Sequence, residues 1–224
     1  MTSPHRYRDE DIAAVARAIE ERRDIRHFIP GELPAGLLER LVAAAHHAPS
    51  VGYMQPWRFV RVAARERREA LWRIVEEERQ RTGAALSSRN DEFMTLKIEG
   101  IREAAEVLVV ALMPKREEHI FGRRTLPEMD VASAACAIQN MWLLARAEGI
   151  GLGWVSFFDP QAVARLLEMP YGAHPVAILC LGPVAEFPPQ PLLETKGWGK
   201  RLPLDEVLFE ERWPPEAGAT PKAY

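Results

Sequence analysis

The sequence predicts a single α+β domain, and two kinds of segment carry that reading. Apolar runs from Val107 to Met113, Leu152 to Phe158 and Val176 to Leu181 have the unbroken hydrophobic character of strands covered on both faces. Between and before them lie segments whose apolar residues recur at helical spacing, which supplies the helices to do the covering.

Ile12, Val15 and Ile19 mark the first helix, which ERRDIRHF closes before leading into an extended segment. Pro34 precedes a second helix with Leu37, Leu38, Leu41, Val42 and Ala45 on one side. It ends near Pro49, because the residue before a proline avoids helical angles. Residues 49–56 read as a shaped loop, and Trp57 to Val62 as a strand with period-two alternation. Residues 66–82 carry Leu71, Ile74 and Val75 among many charges, as a solvent-exposed helix does. The stretch 83–103 is polar, with Phe93, Met94 and Leu96 as its apolar points. Residues 129–148 form the longest helix, rich in Ala and Met and closed by Gly149. Asp159-Pro160 offers an N-cap and a first-turn proline to a short helix through Leu167. From Pro183 onward the chain is Pro-rich and aperiodic, an arm of the kind that wraps a partner subunit. One domain over residues 1–224 is the expectation.

Of the 224 residues, 47% are hydrophobic and 27% charged, which excludes a mostly disordered chain. A net charge of -3 gives no overall attraction to nucleic acid or to an anionic membrane surface. Any phosphate must therefore be held by local Arg and Lys clusters. Cys136 and Cys180 sit in apolar stretches without metal-ligand spacing and read as buried reduced thiols; no metal is expected. The polar amino terminus is unlike a secretory signal, and no apolar run approaches the roughly 20 residues of a membrane span. A soluble cytoplasmic protein is expected.

Four segments carry chemistry. Arg22-Arg23-Asp24-Ile25-Arg26 places three arginines at a helix exit, a fork of donors for a phosphate or else a solvated basic turn paired with nearby glutamates. The loop Ala48 to Trp57 has small residues that let backbone approach a planar ligand, with Ser50 and Gln55 as hydrogen-bonding groups. Gly149, Gly151 and Gly153 precede a strand rather than follow one, so they fail as a dinucleotide fingerprint. A close helix–strand crossing accounts for them. Lys196 to Pro203 is a late basic patch containing Lys200 and Arg201. His46 and His47 are adjacent and so point to different sides, which disfavours a ligand pair.

In this order the four segments resemble the nitroreductase-like flavoprotein superfamily over nearly the whole chain. The resemblance implies a mixed sheet flanked by helices, an intertwined homodimer and an FMN site at each subunit interface. Within it, Arg-Arg-Asp-Ile-Arg at 22–26, Ser-Val-Gly-Tyr-Met-Gln-Pro-Trp at 50–57 and Gly-Trp-Val-Ser-Phe-Phe-Asp-Pro at 153–160 resemble the 5,6-dimethylbenzimidazole synthase family. Ordinary nitroreductases usually carry serine where this chain has Asp24.

That resemblance implies an enzyme of cobalamin biosynthesis that consumes reduced FMN as substrate with molecular oxygen, the flavin being supplied by a separate flavin reductase. Carried over residue by residue, Arg22, Arg23 and Arg26 would hold the FMN phosphate and the ring carbonyl edge. Ile25 and Ser50 would contact the flavin, and Leu96, with Met94, would belong to a lid that excludes water. Arg201 would reach the site from the late basic patch. Asp24 would transfer protons during fragmentation, kept ionised by its arginines, and Ser156 would stabilise the oxygen adduct at the ring edge. Two other readings stay open: an NAD(P)H-dependent nitroreductase or quinone reductase that retains FMN, and an FMN-binding protein without catalysis. Asp24 also has a purely structural reading, as the partner that orients Arg22 or Arg26.

Overall fold

The structure, a computed structural model, describes residues 3–213. Its chain order is α1 (Asp9–Glu21), α2 (Leu37–His46), β1 (Trp57–Arg61), α3 (Arg65–Ala85), α4 (Asn90–Met94), β2 (Glu106–Leu112), α5 (Met129–Ala147), β3 (Gly151–Val155), α6 (Pro160–Leu166), β4 (His174–Gly182) and α7 (Leu192–Thr195). The four strands form one sheet in the order β1-β2-β4-β3. Every strand pairing is antiparallel, so the expected mixed sheet is corrected: the parallel component among the described residues is an isolated bridge between Asp24 and Leu152.

Both faces of the sheet are covered, as the apolar runs require. On one face Leu108, Val110, Leu179 and Leu181 pack with Leu37 and Leu41 of α2 and Ile138, Met141 and Ala145 of α5. The alternating residues Val107, Val109, Ile178 and Cys180 are also fully buried, on the other face. The apolar area so removed from water, at about 25 cal/mol per Å², is the main term that holds the layers together. In the β2–β4 ladder the register shifts between Val110 and Ala111, which pair with Ala177 and Pro175. A bulge there suits Pro175, which has no N–H to give the ladder.

The element ends follow local chemistry. Asp159 caps α6 by accepting from the N–H groups of Gln161 and Ala162, and those bonds hold its carboxyl below the usual carboxylate range. Gly149 takes φ +72° after α5, with Ile150 N–H donating back to Ala145 O at 2.8 Å, a Schellman closure that needs the left-handed residue. The strand expected from Leu152 to Phe158 stops at Val155, since Ser156 to Phe158 already turn toward the Asp159 cap. The helix expected over 66–82 runs longer, to Ala85, so that α3 with 21 residues, and not α5 with 19, is the longest helix of the described residues, and α4 follows within the stretch expected to be polar loop.

Residues 3–189 and 190–213 form separate compact units. The second contains α7 and a short 3-10 turn at 204–206, so part of the aperiodic arm is structured; residues 214–224 lie outside the described residues. Cys180 is buried as expected, its thiol pushed up to about 12 by burial. Cys136 is not: it lies on an exposed face of α5, because the residues that face the sheet are its helical neighbours Ala134, Ala137 and Ile138.

Candidate active site

The sheet order leaves one edge of β3 without a strand neighbour. Unpaired N–H and C=O groups there need partners, and the Arg-rich segment supplies them. Ile25 N–H donates to Leu152 O at 3.0 Å. One residue pair along, the Trp154 N–H donates to Asp24 Oδ1 at 2.9 Å, and Arg26 Nη2 donates to Trp154 O at 2.8 Å. A carboxylate and a guanidinium thus stand in for the acceptor and donor of a missing strand. They also grip each other, Nη1 to Oδ1 and Nη2 to Oδ2, both at 2.5 Å.

The approach is this close because Gly153 has no side chain. A Cβ there would lie 2.0 Å from Ile25 O and 2.8 Å from Arg26 Nη1. A Cβ at Gly151 would meet Val184 at 2.4 Å and the Ile25 side chain at 3.1 Å. The helix–strand crossing expected of these glycines is therefore corrected: at 151 and 153 they admit the 24–26 segment and Val184, and only Gly149 serves a helix end.

Asp24 keeps an open side, with 43% of its side chain exposed. Burial by the surrounding protein raises its pKa above the usual carboxylate value, opposed by the charge of Arg26, the Trp154 N–H and the charge of Arg22. Its open side keeps water in contact and limits that rise. Arg22 lies over the Trp142 ring, 4.5 Å from its centroid, and Trp142 stands 6.3 Å from Trp154. Trp142 Nε1 donates to Arg23 O at 3.1 Å. Arg23 donates from Nη1 to Glu20 O and Arg22 O and from Nη2 to Pro189 O, while its Nε is buried without a partner among the described residues. Because Arg23 meets carbonyls rather than a carboxylate, its charge is not cancelled, and that suits an anionic phosphate.

The other candidate residues are placed as follows. Ile25 is buried with its N–H spent on Leu152. Ser156 follows β3 directly and is exposed, two residues beyond Trp154, whose N–H donates to Asp24. Ser50 accepts from the Gln55 N–H at 3.0 Å and the next N–H, of Val51, donates to Ser133 Oγ of α5 at 3.0 Å. The loop between them holds Gly52, Tyr53 and Gln55 at positive φ, a shape maintained by its surroundings. Leu96 is buried, and Arg79 of α3 donates to the carbonyls of Met94 and Leu96, which pins the expected lid segment to α3. Arg201 is exposed, beside Lys200, in the second unit. His46 is bonded at Nδ1 by Trp57 Nε1, 3.2 Å away. Among the described residues no three His, Cys, Asp or Glu side chains gather as metal ligands.

The nitroreductase family model matches residues 19–183. The chain belongs to the nitroreductase family. Among its relatives is the 5,6-dimethylbenzimidazole synthase of Rhodospirillum rubrum, 42% identical over 81% of this chain and 87% of that protein. A 5,6-dimethylbenzimidazole synthase of Rhodobacter capsulatus is 39% identical over 86% of this chain and 94% of its own length. The fold of this family member also matches an NADPH:FMN oxidoreductase from Vibrio harveyi, with a TM-score of 0.68 at 19% identity, covering 91% of this chain and 80% of that one.

Nothing in the sequence marks Trp142 for the site, and the 153–160 motif contains Gly153 and Trp154 without stating that they receive the 24–26 segment. One signal was present: Gly151 and Gly153 are two apart, so they share one face of their strand. Paired bare positions at the start of a strand mark where another backbone comes close.

Proposed function

We propose that this chain is a 5,6-dimethylbenzimidazole synthase that takes reduced FMN and molecular oxygen and releases 5,6-dimethylbenzimidazole, erythrose 4-phosphate and a pyrimidine-derived fragment. The product is the lower ligand of vitamin B12. The observation that carries the proposal is the anchoring of Asp24 along the open edge of β3, close in sequence to where that strand leads into Ser156. Asp24 is bonded to the Trp154 N–H, two residues before Ser156, in a chain 42% identical to a protein of that name.

The flavin supplies the ring that reacts with oxygen; the chain supplies charge, orientation and proton transfer. Arg22 and Arg23 are the phosphate ligands in this reading, with Arg201 a further cation. Ser50 offers its hydroxyl from a loop fixed on α5, and Leu96 belongs to the water-excluding cover. Asp24 serves as the proton-transfer group. A carboxyl raised above its ordinary pKa takes a proton more readily than one held low, which suits a base with a solvent-facing side. Ser156 provides a hydroxyl at the open end of β3.

A second copy of the chain completes the working unit in this reading. α1 buries none of its residues, and Ile12, Val15 and Ile19 form an exposed apolar stripe along it. A stripe at that spacing is a packing face. A separate reductase delivers the reduced flavin, in the cytoplasm. No helix among the described residues is long and apolar enough to cross a membrane.

The deciding experiment mixes the protein with FMN, a flavin reductase and NADH in air, followed by liquid chromatography and mass spectrometry. Dimethylbenzimidazole should appear as FMN is lost. Intact FMN with peroxide alone would reject the synthase and favour a nitroreductase, whereas intact flavin with no turnover at all would indicate a binding protein. Light scattering of the eluted protein should give the mass of a dimer.

A further inference from the structure

We propose that Arg26 is a positioning residue, which holds the Asp24 carboxylate against the open edge of β3 and does not bind the flavin phosphate. The proposal rests on the flavin reading of the site and assigns Arg26 a role different from those of Arg22 and Arg23.

The terminal nitrogens of Arg26 are already spent within the fold. The four N–H groups on Nη1 and Nη2 face four acceptors: Asp24 Oδ1 and Ile25 O for Nη1, Asp24 Oδ2 and Trp154 O for Nη2. The side chain is 12% exposed, against 43% for Asp24. A phosphate at these nitrogens would displace a carboxylate held at 2.5 Å by two parallel bonds and would bring a second anion beside it. Like charges at that range repel. Meanwhile the bidentate fork fixes both the position and the rotation of the Asp24 carboxyl, which a single ammonium could not do. Trp154 N–H fixes the same oxygen, Oδ1, from the strand side. The open face of Asp24 is therefore set by Arg26, Trp154 and the bare Cα of Gly153.

Two measurements test this, and neither needs turnover. The first is the affinity of wild type, Arg26→Lys and Arg26→Gln for FMN and for riboflavin, which lacks the phosphate, by flavin fluorescence titration. Both Arg26 variants should weaken the two flavins by the same factor, leaving the riboflavin-to-FMN ratio of Kd within about twofold of wild type. Arg23→Gln should lower that ratio about tenfold or more, as loss of a charged phosphate contact does. The second is the titration of Asp24 followed by carbon-13 NMR of labelled aspartate, its signal identified by its disappearance in Asp24→Asn. The charged groups that act on Asp24 are Arg26 and Arg22. Removing the lowering influence of Arg26 should move the Asp24 pKa upward in Arg26→Gln, and less in Arg26→Lys, which keeps a charge. A selective loss of FMN affinity with riboflavin unchanged would overturn the proposal. So would an Asp24 titration that does not move. If Arg26→Gln does not fold, Arg26→Lys gives both readouts. An inactive wild type would count against the synthase reading and leave these outcomes standing.

Discussion

Asp24 and Asp130 are both held by arginines, and their surroundings differ. Asp130, at the start of α5, accepts from Arg116 Nε at 2.9 Å and Arg123 Nη2 at 3.0 Å, with 6% of its side chain exposed. Those arginines also bond backbone carbonyls of Met113, Gly172 and Pro127. Every direction around that carboxylate is occupied by the fold, and the cluster ties the 113–128 segment to α5. Asp24 also has an arginine fork, yet its outer side faces solvent, 43% exposed. The pairing of a carboxylate with arginine is therefore an anchor in one place and a presented group in the other. What separates them is whether the protein closes the last side.

The largest effect that tests this contrast is functional. Asp24→Asn should lower product formation by about 10²- to 10⁴-fold, the usual contribution of a positioned proton-transfer group. It should leave the thermal midpoint nearly unchanged. The folded-state pKa of Asp24 lies above its unfolded value. Its contribution to stability is therefore fullest below the unfolded pKa and is lost as pH rises through the folded one. At neutral pH the charge does not help folding, so an uncharged isostere costs little there. Wild-type product rates in Asp24→Asn would end the proton-transfer role. Ser156→Ala should also reduce product yield, and an unaltered yield would remove Ser156 from the mechanism.

Asp130→Ala should do the reverse. Removing one partner from a buried ion cluster costs about 3–5 kcal/mol, readable by chemical denaturation, while the protein that remains folded keeps the FMN-to-riboflavin preference of wild type. Equal stability losses at positions 24 and 130 would erase the distinction. Gly153→Ala comes next, at about 1–3 kcal/mol for forced overpacking. Because its Cβ would collide with Ile25 O, a loss of flavin affinity should accompany it. Gly149→Ala, at φ +72° with nothing within 4 Å of a new Cβ, should cost only about 1 kcal/mol through the backbone and leave flavin binding untouched. Finally, Cys180, its thiol pushed up to about 12, should react with thiol reagents only as the protein unfolds.

The helices and strands were legible because their signals are local. Asp159-Pro160 states a cap and a first turn, Gly149 states a helix end, and the apolar runs state buried strands. The nitroreductase resemblance was legible as well, since it lies in short motifs such as Arg22 to Arg26 and Ser50 to Trp57. Strand direction was not, because pairing joins residues far apart in sequence: Glu106 sits opposite Leu181 and Gly151 opposite Gly182. The exposure of Cys136 was hidden for a related reason, as composition says a helix is apolar without saying which side meets the sheet.

By itself, then, the sequence determined the elements, the family to which they point and the residue types gathered at the site. Only the tertiary structure decided what those residues do to one another. Three arginines in five residues look equivalent in the sequence. In the fold one stacks on Trp142, one lies on backbone carbonyls and one is spent on Asp24. That division depends on an open strand edge and on two glycines about 130 positions away. Hydrogen-bond partners are assigned by proximity in space, and a linear pattern contains no record of it.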